Sequence, residues 1–257
     1  MPLDPAIAVV LGGAAVGFLL AVFGGGGSVL AAPVLLYLGG VTDAHLAVGT
    51  ASAAVAANAA LNLLGHWRGG RIKWPCAMVF ALAGLAGSFL GSSLAKLISG
   101  QHLLLAFALA MAAIGLSMFR RPASEGDPDV HISMKLVARL APLGLLTGLA
   151  AGFFGIGGGF LIVPGLMLAT GMTMANATAS SLLSVALFGA ATTFNYALTD
   201  QVDWRLAGLL LLGGAAGGVA GLFAAKALVR HAALARKLFA VLIILVAAYV
   251  AYRALAG

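Results

Sequence analysis

Charge is scarce in this chain: 8% of its 257 residues are Asp, Glu, Lys or Arg, against 62% hydrophobic. A water-soluble domain would aggregate at that ratio, so water is not the main solvent of the fold. The seven acids are Asp4, Asp43, Glu125, Asp127, Asp129, Asp200 and Asp203. All fall at segment ends or between segments, which excludes a proton relay of buried carboxylates. The single cysteine, Cys76, excludes an internal disulfide and any multi-cysteine metal site, and is expected to pack as a small hydrophobe near a helix start. No HExxH motif, intramembrane carboxylate pair or Cys/His cluster occurs. No enzyme, cofactor or metal is therefore implied.

What is abundant is long apolar sequence. A bilayer core needs about 20 apolar residues per spanning helix. Ala44 to Leu64, Pro75 to Ala95, Leu103 to Phe119, Leu140 to Phe154, Ala175 to Leu198, Leu206 to Ala225 and Leu238 to Tyr252 approach or meet that length. They are continuous and rich in Ala, Leu and Gly rather than alternating, so a β-barrel is a poor account. The expected fold is an all-α, polytopic membrane protein. The formal charge of +7 sits in short loops, where cations set topology, so no nucleic-acid partner is read from it. The N-terminus has neither a basic region nor a small-residue cleavage site, so the first helix is expected to be retained.

The chain repeats itself. Phe23 to Pro33, FGGGGSVLAAP, superposes on Phe154 to Pro164, FGIGGGFLIVP. Gly17 falls on Gly148, Gly40 on Gly171, Ala44 on Ala175 and Thr50 on Ser181. After a one-residue gap, Trp74 falls on Trp204, Gly84 on Gly214, Gly91 on Gly221 and Lys96 on Lys226. The expected organisation is a first transmembrane repeat over 1–121, a cytoplasmic linker over 122–133 and a second repeat over 134–257. Each repeat reads as an apolar helix, a glycine cluster, a short helix and three full spans. The short pieces, Ser28 to Leu38 and Phe160 to Ala169, reach only partway across the hydrocarbon. Such pairs of interrupted segments mark transporter binding sites.

Loop charge favours inverted repeats. Arg68, Arg71 and Lys73 follow the third segment of the first repeat, whereas Asp200, Asp203 and Arg205 follow its counterpart. Arg120, Arg121, Lys135 and Arg139 in the centre, and Lys226, Arg230, Arg236 and Lys237 near the end, fall on the cytoplasmic side. Lys96, Arg205 and Arg253 are left outside. Both termini are then expected on the outer face of a bacterial inner membrane, with the bilayer as partner and association into a homo-oligomer left open.

A glycine run inside a membrane frees backbone amides that must find partners. The short helix after each run turns the positive end of its dipole toward mid-depth, where it suits a compact anion without any charged side chain. Glycine also permits the left-handed conformations that gather amides into a nest. Close helix packing is the competing account of the same glycines. The candidate solute-binding residues are therefore Gly24, Gly25, Gly26, Gly27 and Ser28 in the first repeat and Gly155, Gly157, Gly158 and Gly159 in the second. The polar third segments add Thr50, Ser52 and Asn58, and Ser180, Ser181 and Ser184. These either line the cavity or join helices to one another. His45, aligned with Asn176, is a candidate proton sensor or a capping residue.

The two glycine clusters, each ending in a proline five residues later, resemble the sulfite exporter TauE/SafE family of membrane transporters over nearly the whole chain. The resemblance implies transport of sulfite, sulfoacetate, another organosulfonate or a related sulfur anion; the paired interrupted segments lead to the expectation that it proceeds by alternating access between the repeats. A passive anion channel or a structural membrane subunit is the alternative. The first copy departs from the second at Gly25 for Ile156 and at Ser28 for Gly159.

Overall fold

A computed structural model describes residues 4–67, 70, 72–117, 119, 126–127, 130, 132–155, 159–228 and 232–256. Among them the elements run α1 (Pro5–Phe23), a 3-10 segment (Gly24–Leu30), α2 (Ala31–Tyr37), α3 (Ala44–Trp67), α4 (Trp74–Ala95) and α5 (Gly100–Ser117). They continue with α6 (Met134–Phe154), α7 (Gly159–Thr170), α8 (Met174–Ala197), α9 (Trp204–Leu228) and α10 (Ala232–Ala256). Eight of these helices are long and apolar enough to cross a membrane. α7, with 12 residues, reaches about 18 Å at 1.5 Å per residue, and α2 reaches less, so neither spans. The chain is a multi-pass helical membrane protein, as its composition requires.

Local chemistry sets the helix ends. Asp43 caps α3 by accepting from the His45 N–H at 2.7 Å, Thr173 caps α8 through the Asn176 N–H at 3.3 Å, and Asp203 caps α9 through the N–H groups of Arg205 and Leu206. Gly40 and Gly171, both left-handed, follow α2 and α7. These caps revise the internal alignment. Gly40 still matches Gly171, but three residues (41–43) separate it from α3, whereas two (172–173) separate Gly171 from α8. The one-residue gap therefore lies in this loop. Thr50 matches Ser180 rather than Ser181, and His45 matches Ala175 rather than Asn176.

The short return folds back along its own first helix. Gly27 packs against Leu19 and Leu20, Gly12 against Val34, and Gly39 against Val9. α1 and α2 thus form a hairpin whose two ends lie together. The α-helical part begins at Ala31, later than the expected Ser28, because Gly24–Leu30 stays in a 3-10 turn.

Two glycine seams join helices from different halves of the chain. α1 lies beside α9 in the same direction: a Cβ on Gly17 would overlap the carbonyl of Gly214, and one on Gly217 the carbonyl of Ala14. α4 and α6 repeat the arrangement, with Gly148 on Gly84 and Gly152 on Ser88. Lipid supplies no hydrophobic drive for helix association, so backbone approach of this kind is what such seams use. α3 and α8, the two most buried spans, cross antiparallel, Gly49 meeting Tyr196 while Ser52 and Ala56 meet Gly189. α5 and α10 also pair antiparallel, Gln101 donating to the Ala254 carbonyl at 2.8 Å while Gly115 faces Ala240 and Ile244. Their exposed leucines, such as Leu109, Leu116 and Leu245, face outward, where a bilayer would lie. In the linker, the Asp127 N–H donates to the Gly171 carbonyl at 2.8 Å; Glu125 and Asp129 lie outside the described residues.

Candidate functional site

Where α6 stops, Gly155 takes the left-handed conformation at φ 63° and its N–H donates to the Gly152 carbonyl at 3.2 Å. A side chain there would be strained by its backbone angle and would overlap Val48 of α3, so glycine is required twice over. Ser52, one turn beyond Val48, donates to the Gly155 carbonyl at 2.7 Å and lies 2.8 Å from the Val48 carbonyl. The second glycine break is thereby tied to the third segment of the first half. Gly157 and Gly158 lie outside the described residues, and Gly159 is the first residue of α7.

α7 packs against the 3-10 segment Gly24–Leu30, and α8 packs on both. The two interrupted returns, widely separated in sequence, therefore meet beside α3 and α8. Gly24, Gly25 and Gly26 lie in this 3-10 turn. Gly27 is pressed against α1, and Ser28 is fully buried.

Among the described residues, the hydroxyls of Thr50, Ser180 and Ser181 bond elsewhere. Thr50 accepts from the Asp203 N–H at 2.9 Å, and its true counterpart Ser180 accepts from the Lys73 N–H at 3.0 Å. Thr50 thus holds the loop that starts α9, and Ser180 the loop that starts α4. Asn58 lies against Gly214 of α9, as Phe188 lies against Gly84 of α4. Helical spacing puts Ser184 on the α4-facing side of α8, between Ser180 and Phe188. Ser181 donates to the Thr178 carbonyl of its own helix at 2.8 Å. Thr50 and Asn58 thus belong to an α3–α9 seam and Ser180 to an α8–α4 seam, and among the described residues Ser52 is the one of these six whose side chain hydrogen-bonds to a break. Asn58 is nonetheless unusual: it is 1% exposed, and among the described residues neither its amide nitrogen nor its amide oxygen has a hydrogen-bond partner. The Ser184 hydroxyl, fully buried, likewise has none among the described residues.

His45 bridges helix ends, with Nε2 3.1 Å from the Ile98 carbonyl and Nδ1 3.5 Å from the Tyr196 hydroxyl. Sequence reasoning missed Val48 and Tyr196, whose spacing carries no signal. Lys96 was visible only as a repeated lysine.

These features define a class: a polytopic helical membrane protein in which two glycine-linked returns abut at the centre. Residues 9–250 match the family described as sulfite exporter TauE/SafE. The chain is 46% identical over 258 residues to a probable membrane transporter protein of Xylella fastidiosa strain 9a5c, covering 100% of this chain and 99% of that one. It is 25% identical over 238 residues to the probable membrane transporter protein YunE of Bacillus subtilis strain 168, covering 84% and 86%. No solved structure matches. The chain belongs to the sulfite exporter TauE/SafE family of membrane transporters.

Proposed function

We propose that the protein carries a small anion, sulfite, sulfoacetate or another organosulfonate or sulfur oxyanion, across a bacterial inner membrane by alternating access. The observation that carries this reading is the meeting of the two glycine-broken returns beside α3 and α8. There the start of α7 offers backbone amides and a positive dipole end, a recognition chemistry that suits a compact oxyanion. The solute would be held near Gly24 to Ser28 and Gly155 to Gly159. The family's description as a sulfite exporter supports the same class of solute.

Inverted repeats over 1–121 and 134–257, joined by a cytoplasmic linker over 122–133, fit several contacts. The α1–α2 hairpin ends where it began, which leaves three further spans in the first half. The matching helices α3 and α8 run antiparallel, as do α5 and α10. Both termini then lie on the outer face. The glycine seams add a constraint: α1 is locked to α9 and α4 to α6. The bodies that rearrange are therefore composites of both halves rather than the halves themselves.

The test is uptake of sulfite, sulfoacetate and methanesulfonate into liposomes containing only this protein. Saturable flux that one anion inhibits for another supports a carrier. Flux that rises linearly with concentration would indicate a channel, and none at all would indicate a structural subunit. Thiol labelling of cysteines placed at both termini, from each side of the membrane, tests the orientation.

A further inference from the structure

A dense polar cluster lies at the end of the bundle where α3 starts. The Lys96 ammonium donates to the Asn195 backbone carbonyl at 3.0 Å and to Asn195 Oδ1 at 2.6 Å. It also stands 5.8 Å from the centroid of the Tyr196 ring. Asn195 is anchored in turn, its Nδ2 donating to the hydroxyls of Ser92 and Ser93, each at 2.7 Å. Tyr196, though near a helix end, is fully buried. Its Cβ packs on Gly49, the neighbour of Val48, and Val48 covers Gly155. Tyr196 thus packs one residue along α3 from the side chain that covers the second glycine break, with its hydroxyl toward His45 at this end of the molecule.

The matching positions of the other half are Gly65, His66 and Ala175, in place of Asn195, Tyr196 and His45. This cluster is thus not repeated at the matching positions of the other half. A helix C-terminus is a favourable place for a lysine. Both acceptors that hold Lys96 are neutral, however, and an anionic acceptor adds a direct charge–charge attraction to the ammonium that neither of them supplies. An oxyanion arriving at this end competes for Lys96 on favourable terms.

We propose that Tyr196 is a gate over the Gly155 break, and that Lys96 is its anion-sensing latch. An incoming oxyanion draws the ammonium from Asn195, the cation–π contact is lost, and the ring is released. The gate needs only an anionic solute and so rests on the proposed function, but it can be read without measuring flux.

The experiment places one cysteine at Val48 in a Cys76→Ser background, in the full-length protein in liposomes, and measures its labelling by a membrane-impermeant maleimide. Val48 is 3% exposed, so the parent is expected to label slowly. Tyr196→Ala and Asn195→Ala are each expected to raise the rate about tenfold, the change produced by shifting the closed–open balance by about 1.4 kcal/mol. Tyr196→Phe keeps the ring and is expected to stay slow. Methanesulfonate is expected to accelerate labelling when Lys96 is present and to have no effect in Lys96→Met. Asn195→Ala leaves the aromatic core intact, which guards against a misfolded Tyr196→Ala. The proposal is overturned if folded Asn195→Ala and Tyr196→Ala both label at the parent rate, or if the methanesulfonate effect survives Lys96→Met. Accelerated labelling without sulfur-anion flux would leave the gate standing and remove the cargo assignment alone.

Discussion

Removing the Ser52 hydroxyl should destabilise the protein by an amount that separates a structural tie from an ornamental one. In Ser52→Ala the Gly155 carbonyl loses the donor 2.7 Å away, and Ser52 is fully buried, so water does not replace it. An interhelical hydrogen bond in a membrane protein is worth on average about 0.6 kcal/mol, because the unfolded chain in lipid also finds partners. Leaving a buried group unsatisfied costs about 1–3 kcal/mol. Because Gly155 is a left-handed cap that its own helix cannot easily re-satisfy, the loss should fall near 1–2 kcal/mol, within that second range. Unfolding by SDS titration in mixed micelles measures it. Ser181→Ala is the control, since among the described residues that hydroxyl serves only the Thr178 carbonyl of its own helix, and it should change stability by less than about 0.5 kcal/mol. Ser52→Thr keeps the hydroxyl and should recover part of the loss. Equal effects of Ser52→Ala and Ser181→Ala would refute the claim that α3 holds the break.

Three further outcomes follow from the packing. Gly148→Val should destabilise by about 3 kcal/mol or more, because the carbonyl of Gly84 blocks the new side chain and backbone cannot swing aside; Gly208→Ala, with open space at its Cβ, should hold or raise Tm, and a thermal melt compares the two. Asn58→Leu should stabilise the fold by about 1–2 kcal/mol, since it removes an unpartnered buried amide at a place where the other half carries Phe188; a lower Tm would show that the amide is satisfied. Asp203→Ala should lower stability by about 1 kcal/mol through loss of the α9 cap, which the same melt detects.

Much of the architecture was legible in the residues. The apolar runs marked the spans, and the duplicated FGGGGSVLAAP and FGIGGGFLIVP marked both interrupted returns, because apolar length and glycine clusters act locally. The internal alignment was right at Gly40 and Gly171 but slipped by one residue at the next helix, since a loop length is decided by its caps and not by similarity. The polar residues of α3 and α8 were recognised as inward-facing without their destinations. Thr50 and Asn58 turned out to serve α9, Ser180 served the loop before α4, and Ser52 bonds to the Gly155 break.

The amino-acid order by itself determined the solvent of the fold, its helical class, the number and rough extent of its long helices and the duplication that makes two returns. Each of these follows from transfer free energy and backbone satisfaction summed over one segment at a time. Only the tertiary structure decided that α1 pairs with α9 and α4 with α6, that Val48 and Ser52 close on Gly155, and that Lys96, Asn195 and Tyr196 form one cluster. Those facts depend on which helix faces meet. Glycine surfaces in lipid are all equally apolar until backbone shape selects among them, and no local pattern in the chain encodes that choice.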